Sequence, residues 1–311
     1  MRPTRLAALT ITAAATAAAA TAVVASTGSA SPRATAEPAA AVAPASGARA
    51  GAAKGTVSAA HRPDHVIVVM FENKNYSSVK GSSSAPYLNS LAQQGTLSTN
   101  SFGLTHPSQP NYIGLFSGSQ HGVTGDTCTN LTGDNLGQQL VNAGLTFKGY
   151  SESLPSAGYT GCTSGKYARK HAPWASFPTV SGASYNVPFS SFPSDYTKLP
   201  TLSFVIPNMC DDMHDCSIST GDTWLKNNLD AYARWARSHN SLLVTTFDED
   251  DFTSVNQIYT TFTGQYVKAG YGSGTQIDHY TLLRTLEDMY GLPALGTAAS
   301  RTPLTDFWTT G

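Results

Sequence analysis

Several features are scarce or absent in this sequence of 311 residues. Only 13% of the residues are charged, and 19 Lys+Arg against 20 Asp+Glu leave no basic excess, so we expect no nucleic-acid partner. We see no internal repeat. After the N-terminal segment there is no long apolar run, which argues against a membrane-spanning helix. With 41% hydrophobic residues, the chain can bury a sizeable core in one large domain or, at this length, in two.

The N-terminal residues have the pattern of an export signal. Two arginines precede an apolar run and then small residues in the stretch MRPTRLAALTITAAATAAAATAVVASTGSA. This pattern predicts a signal peptide over residues 1–30, cleaved near Ala30. A transmembrane anchor is the weaker alternative, because the run is rich in alanine and only moderately apolar. Residues 31–60 are rich in Ala, Pro and Gly and predict a disordered linker or pro-segment. We therefore expect a secreted protein without a stable membrane anchor, folded over residues 61–311.

The four cysteines include no Cys-x-x-Cys pair, which argues against a zinc site built from thiolates. An even number of cysteines in an exported chain predicts two disulfides, for which three pairings are open. We favour Cys128 with Cys162 and Cys210 with Cys216. The short second loop would then staple a turn that carries acidic residues and a histidine.

The continuous apolar run Val66–Phe71 is typical of a strand buried on both faces, as in parallel sheets. The segments Leu202–Ile206 and Leu242–Phe247 repeat this pattern and predict two further strands. Helical patterns lie between and after them: APYLNSLAQQG, PNYIGLFSG, NLGQQLVNAG, WLKNNLDAYARWARSH and HYTLLRTLEDMYG. This alternation predicts an α/β fold with a mainly parallel sheet and helices on both faces. Residues from about 150 to 200, rich in Ser, Pro, Gly and aromatic residues, predict an irregular covering lobe.

The three predicted strands are followed by acidic segments, which are Glu72-Asn73, residues 211–215 (DDMHD) and residues 248–251 (DEDD). The carboxyl ends of parallel strands are where α/β proteins place their sites. Carboxylates brought together there repel one another, and a bound cation relieves that repulsion. Solvated turn acids and helix caps are the alternative for any one segment, but three such segments together favour a metal site.

The stretch THPSQPNYIGLFSG places Ser108 just before a predicted helix, because Pro110 suits a first helical turn. Main-chain donors and the helix dipole at such a position favour a phosphate group. Ser108 beside a cation is a candidate nucleophile, and Asn111 could donate a side-chain N–H to a phosphoryl oxygen. Alternatively, Ser108 is only a helix cap. The Gly-x-Ser-x-Gly motif of α/β-hydrolases is absent from this region.

Several segments taken together resemble one known family. They occur in the order ENKNY, THPSQPNYIGLFSG, GVTGD, YARKHAPW, PNMCDDMHDC, GDTWL, TTFDED and DHYTLLRTLEDMYG. They resemble the bacterial phosphoesterase family of secreted acid phosphatases and phospholipases C, which belongs to the alkaline phosphatase superfamily. The resemblance runs from about His65 to Pro293 and implies an alkaline-phosphatase-like α/β sandwich.

The resemblance also implies a metal site. It gives Glu72, Asn73, Asp248 and Glu249 metal-binding roles, and it makes Ser108 both the phosphorylated nucleophile and a metal ligand. An oxygen-rich ligand set suits a hard divalent cation such as Ca, Mg or Mn, and zinc stays open.

Three histidines lie in segments that carry the resemblance: His171, His214 and His279. We interpret them as phosphate ligands, as the general acid for the leaving group, or as part of a second metal site with Asp212. Each could alternatively be a polar residue satisfied in a turn. His214 is the favoured general acid, and the sequence leaves His106, just before the nucleophile helix, undecided.

These observations predict a secreted, metal-dependent phosphoesterase that hydrolyses phosphate monoesters through a phosphoserine. The alternative is a phospholipase C that cleaves phospholipid head groups. Larger phospholipase relatives follow the Asp-Glu pair with glycines and Asp-His, whereas Asp250-Asp251-Phe252 follow it here, which favours the acid-phosphatase-like branch. A third hypothesis is a secreted metal-binding protein without enzymatic activity. No obligate protein partner is expected.

Overall fold

The fold is organised around a nine-stranded sheet, seen in a computed structural model that describes residues 61–309. The predicted signal peptide and linker lie outside the described residues. The strands are β1 His65–Phe71, β2 Thr96–Phe102, β3 Phe147–Ser151, β4 Thr163–Ser164, β5 Tyr167–Ala168, β6 Asn186–Pro188, β7 Leu202–Ile206, β8 Ser241–Phe247, β9 Gln257–Gly264, β10 Tyr271–Ser273 and β11 Ile277–Asp278.

The strand order across the sheet is β10-β2-β9-β8-β1-β7-β3-β6, with β11 also pairing with β2. Strands β8, β1, β7, β3 and β6 run parallel to one another, and β9 is antiparallel to both of its neighbours. The mainly parallel sheet predicted from the sequence is confirmed. The small β4–β5 hairpin stands apart from this sheet.

Helices cover both faces of the sheet, as predicted. They are α1 Tyr76–Val79, α2 Pro86–Gln94, α3 Gln109–Ser117, α4 Leu136–Asn142, α5 Ile218–Ala236 and α6 His279–Tyr290. Alternate residues of β1 enter two separate cores, one packed by α3, α4 and α6 and the other by α1, α2 and α5. Because side chains alternate across a strand, a fully apolar strand such as β1 supplies both cores at once. Within the described residues, no helix is long and apolar enough to cross a membrane.

The region predicted as an irregular lobe contains the β4–β5 hairpin, β6 and four 3₁₀ helices at Arg169–His171, Pro173–Ser176, Phe189–Ser191 and Tyr196–Lys198. Both favoured disulfides are present. Cys128–Cys162 ties the start of this region to the loop after α3, and Cys210–Cys216 closes the loop between β7 and α5.

Helix α2 lacks a capping side chain of its own, because the residue before it is Ala85. The carboxylate of Asp222, on the neighbouring α5, accepts hydrogen bonds from Tyr87 N at 3.0 Å and Leu88 N at 2.8 Å. This contact replaces the local cap that would normally satisfy the first N–H groups of a helix.

We expect Asp222→Ala to lower the free energy of unfolding by about 1–3 kcal/mol, because two buried N–H groups lose their acceptor. Urea denaturation measures the loss. The surface substitution Asp134→Ala is the matched control, with an expected effect within about 0.5 kcal/mol. Equal midpoints for the two variants would contradict the capping role.

Candidate active site

The three acidic segments predicted at strand ends meet at one edge of the sheet. Strand β1 lies between β7 and β8, so the residues that follow these strands are neighbours. Glu72 N donates to Asp212 O at 2.8 Å, and Asp248 N donates to Phe71 O at 3.0 Å. The parallel register therefore brings together acids that are far apart in the sequence.

Ser108 lies at the start of α3 and faces this acidic edge. Its side chain is 2% exposed, and its Oγ donates to Glu72 Oε2 at 2.8 Å and to Glu249 Oε1 at 3.2 Å. The hydroxyl does not cap its own helix, because the residue has helical dihedral angles and makes no side-chain cap bond. The alternative that Ser108 serves only as a helix cap is therefore wrong.

The main-chain donors expected around Ser108 are largely engaged. Gln109 N donates to Asp126 Oδ1 at 3.0 Å, Asn111 N donates to Ser108 O, and Pro110 has no N–H. At this helix start, positive charge beside a phosphoryl group must therefore come mainly from side chains or a cation.

Glu72 lies at the centre of the buried cluster. Its Oε1 accepts a 2.5 Å hydrogen bond from Tyr112 OH and lies 3.1 Å from His171 Nε2, while His171 Nδ1 lies 3.2 Å from Asp212 Oδ2. One donor atom from each of Glu72, His171 and Asp212 falls within 4.8 Å of the others. The tyrosine and histidine rings are stacked, with centroids 5.0 Å apart.

Burial shifts the protonation of these groups. Desolvation raises the pKa of Glu72 and Asp248 and raises the pKa of Asp212 to about 7. Desolvation also lowers the pKa of His171 to about 4, because the charged imidazolium loses its hydration. The repulsion between Asp248 and its neighbours Glu72 and Glu249 raises the Asp248 pKa further.

The donor set fits a divalent cation. Asp212 Oδ2 and Asp248 Oδ2 are buried and accept no hydrogen bond from the residues that the structure describes. Oxygens of this kind are costly in a protein interior unless a proton or a cation compensates them. The arrangement offers mostly carboxylate oxygens and one imidazole, which suit Ca, Mg, Mn or Zn.

Glu249 and Asn73 occupy the rim of this cluster. Glu249 Oε2 lies 2.7 Å from His106 Nδ1, and His106 Nε2 in turn lies 3.0 Å from Thr253 O. His106, undecided from the sequence, therefore orients one of the two carboxylates that face Ser108. The main-chain N of Asn73 donates to Asp248 Oδ1 at 3.0 Å, so Asn73 holds that carboxylate through its backbone.

Two predicted catalytic residues have other partners. The amide N–H groups of Asn111 donate to Thr105 O and Pro107 O, and its oxygen accepts from Leu104 N and Thr105 N. His279 is buried and places Nε2 2.5 Å from the main-chain oxygen of Asp248. Because these polar groups are occupied, Asn111 positions the loop before Ser108 and His279 positions the end of β8. Their predicted roles in the reaction stay predictions.

His214 lies on the loop closed by Cys210–Cys216 and is only half-buried. Its Nδ1 lies 2.7 Å from Asp215 Oδ1, its main-chain N donates to Asp212 Oδ1 at 2.8 Å, and its ring centroid is 6.2 Å from that of His171. The contact with Asp215 orients the imidazole and leaves Nε2 for a proton transfer.

Three residues of the site are not predicted from the sequence: Tyr112, Lys170 and Asp126. Lys170 Nζ lies 2.7 Å from Asp126 Oδ2, and this pair braces the start of α3 through Gln109 N. Asp126 and Lys170 stand in the segments GVTGD and YARKHAPW, which already carried the family resemblance. Tyr112 follows Ser108 by four residues, and the helical period alone would have placed both on one face.

Comparison with solved structures supports the fold. A protein of the alkaline phosphatase superfamily from Vibrio parahaemolyticus matches with a TM-score of 0.53 and 10% sequence identity, over 78% of this chain and 71% of that chain. The predicted alkaline-phosphatase-like fold is confirmed.

The sequence comparisons are more specific. The model of the phosphoesterase family matches residues 81–293. A phosphatidylinositol-3-phosphatase of Mycobacterium tuberculosis is 50% identical over 248 residues, which are 78% of this chain and 82% of the relative. An acid phosphatase of Aspergillus fumigatus is 29% identical over 249 residues, which are 73% of this chain and 55% of that phosphatase. The chain belongs to the phosphoesterase family and is a hydrolase of phosphoric ester bonds.

Proposed function

We propose that this protein hydrolyses phosphate monoesters through a phosphoserine at Ser108, with a divalent cation at the acidic edge of the sheet. The observation that carries the proposal is the position of Ser108 Oγ, buried and hydrogen-bonded to both Glu72 and Glu249. Two carboxylate acceptors next to a serine hydroxyl are the arrangement that an activated nucleophile needs.

In the first step, Ser108 Oγ attacks phosphorus while the bond to the leaving oxygen breaks on the opposite side. Glu72 Oε2 and Glu249 Oε1 are both in position to take the serine proton. His214 Nε2 donates a proton to the leaving oxygen, and Asp215 holds its ring in place. In the second step, water attacks phosphorus and gives a proton to His214 Nε2, while the bond between phosphorus and Ser108 Oγ breaks. Ser108 Oγ regains its proton from the glutamate, and inorganic phosphate is released.

Residues on both sides of Ser108 supply the remaining interactions. Lys170, with a side chain that is 20% exposed, provides positive charge near the start of α3. His171 packs against Tyr112 and contacts two carboxylates, so it orients the cluster. The buried Tyr112 hydroxyl keeps one Glu72 oxygen occupied, and this leaves the other oxygen for Ser108.

The family resemblance assigns five ligands to the cation: Glu72, Asn73, Ser108, Asp248 and Glu249. Asp212 and His171 extend this set, because both contact or approach Glu72 in the structure. When bound, a divalent cation supplies positive charge that offsets the carboxylates and stabilises negative charge on the phosphoryl oxygens.

An extracellular location is part of the proposal. It rests on the signal-peptide pattern in the sequence and on the two disulfides, which persist in oxidising compartments. A relative with 50% identity is named a phosphatidylinositol-3-phosphatase. We therefore count lipid-linked phosphate monoesters among the proposed substrates, beside small soluble ones.

The first test measures phosphate release from glycerol 2-phosphate, from a phosphate diester and from a phospholipid, each with and without a chelator. We expect monoester turnover to dominate and chelation to lower it by at least about 100-fold, because the cation offsets transition-state charge. Adding back Ca, Mg, Mn or Zn singly identifies the metal. If phospholipid were the only substrate and released a phosphorylated head group, the result would favour a phospholipase C. Turnover that resists the chelator would contradict the metal-dependent mechanism.

A further inference from the structure

A cavity of about 430 Å³ lies beside the candidate active site and shares its walls. Lys170 and Asp126 line it on one side, directly next to His171 and to the start of α3. Asp215 lines it on the other side, next to His214. Asp126 also accepts a hydrogen bond from Gln109 N, next to Ser108, and Asp215 contacts His214. The cavity is therefore adjacent to the site, where a group attached to the reacting phosphate would extend.

The lining of this cavity is mainly apolar. Tyr167, Ala168, Met209 and the Cys128–Cys162 disulfide contribute apolar surface. A pocket of this size and composition suits an organic group larger than glycerol, since small-molecule sites are typically about 300–1,000 Å³.

Two polar groups in the lining have no partner. Lys166 is exposed, and among the described residues it forms no ion pair, whereas Lys170 is paired with Asp126 and Asp215 with His214. The side chain of Tyr167 is 2% exposed, and its buried hydroxyl has no hydrogen-bond partner within the described part of the chain. An unpaired, exposed cation beside an apolar wall is a feature that recognises an amphipathic anion.

We infer that this cavity binds the leaving group and selects phosphate monoesters whose leaving group combines an apolar surface with a second negative charge. The inference rests on the proposed function and names its substrate class. Lys166 pairs with the second anionic group, and Met209 contacts the apolar part. Both residues are specificity determinants, and neither takes part in the bond changes at phosphorus.

The test compares three soluble monoesters: glycerol 2-phosphate, phenyl phosphate and 4-carboxyphenyl phosphate. We expect Lys166→Gln to lower kcat/KM for 4-carboxyphenyl phosphate by about 3–10-fold and to leave the other two substrates unchanged, since one partly solvated ion pair is lost. Comparing variants on each substrate cancels the intrinsic reactivity of the different esters. Lys226→Gln, an exposed lysine on α5 outside the cavity lining, is the matched control and should change none of the three.

A binding readout accompanies the kinetics. 4-Hydroxybenzoate, the leaving group of the third substrate, should inhibit competitively, and Lys166→Gln should raise its inhibition constant by the same factor.

Equal effects of Lys166→Gln on all three substrates, or no effect on any, would overturn the inference and leave the proposed function standing. A wild-type protein that turns over no monoester would remove both. A dispersed short-chain phosphatidylinositol 3-phosphate and its deacylated form separate a lipid-borne leaving group from a soluble one. Deacylation lowers wild-type kcat/KM only if the acyl chains contribute to binding.

Discussion

Replacing Ser108 with alanine is expected to lower kcat/KM for phosphate monoesters by at least about 1,000-fold, because the nucleophile of a covalent mechanism has no substitute. The fold should survive the change. The Ser108 hydroxyl donates to two carboxylates but does not cap α3, so its loss removes no main-chain bond. The measurement is steady-state phosphate release by protein with an unchanged thermal midpoint.

Ser117→Ala is the matched control, since Ser117 is also buried, lies on the same helix and bonds only to main-chain oxygens and to His121. We expect activity within a few-fold of wild type for that control, in line with a residue outside the reaction. Acid quenching during turnover should also trap phosphate on a peptide that contains Ser108. Retained activity in Ser108→Ala, or trapped phosphate elsewhere, would remove the proposed intermediate.

The second large effect is expected from Asp248→Asn, which should change stability and activity in opposite directions. Without added metal, the variant should melt about 3–10 °C higher than wild type, because a buried carboxylate that repels Glu72 and Glu249 becomes neutral. Its activity should fall by at least about 100-fold, since the acidic edge loses a charge that the cation needs. The Asn side chain still accepts the hydrogen bond from Asn73 N.

Thermal melting with and without added divalent cation checks this prediction. Added cation should raise the midpoint of wild type and leave that of Asp248→Asn nearly unchanged, because only binding to the folded state stabilises it. Asp64 is an exposed acid that precedes β1, whereas Glu72 follows β1, so Asp64→Asn should behave like wild type. A variant less stable than wild type without metal, or equally responsive to it, would contradict the role given to Asp248.

The central strands and the acidic edge of the sheet can be predicted from the sequence, because both depend on local patterns of apolar and polar residues. Strands β1, β7 and β8 consist mainly of apolar residues, so their identity and burial follow largely from composition. Where each apolar run stops, the chain turns polar, and parallel pairing then places Glu72, Asp212 and Asp248 at one edge without any knowledge of side-chain packing. The Cys210–Cys216 pairing follows for a related reason, since cysteines six residues apart need little rearrangement to meet, and Cys128 and Cys162 are then left to pair with each other.

The tertiary structure decided which polar groups are already occupied. Asn111 was expected to hold phosphate, but the loop before Ser108 uses its whole amide, and His279 is taken up by a main-chain oxygen. Tyr112 forms a hydrogen bond with Glu72, which is 40 positions away in the sequence, and Lys170 forms one with Asp126, which is 44 positions away. Contacts of this kind depend on how helices and loops pack on the sheet, and a single sequence carries no local signal for them. The cavity beside the site has the same origin, because its walls come from three separate segments that only the folded chain brings together.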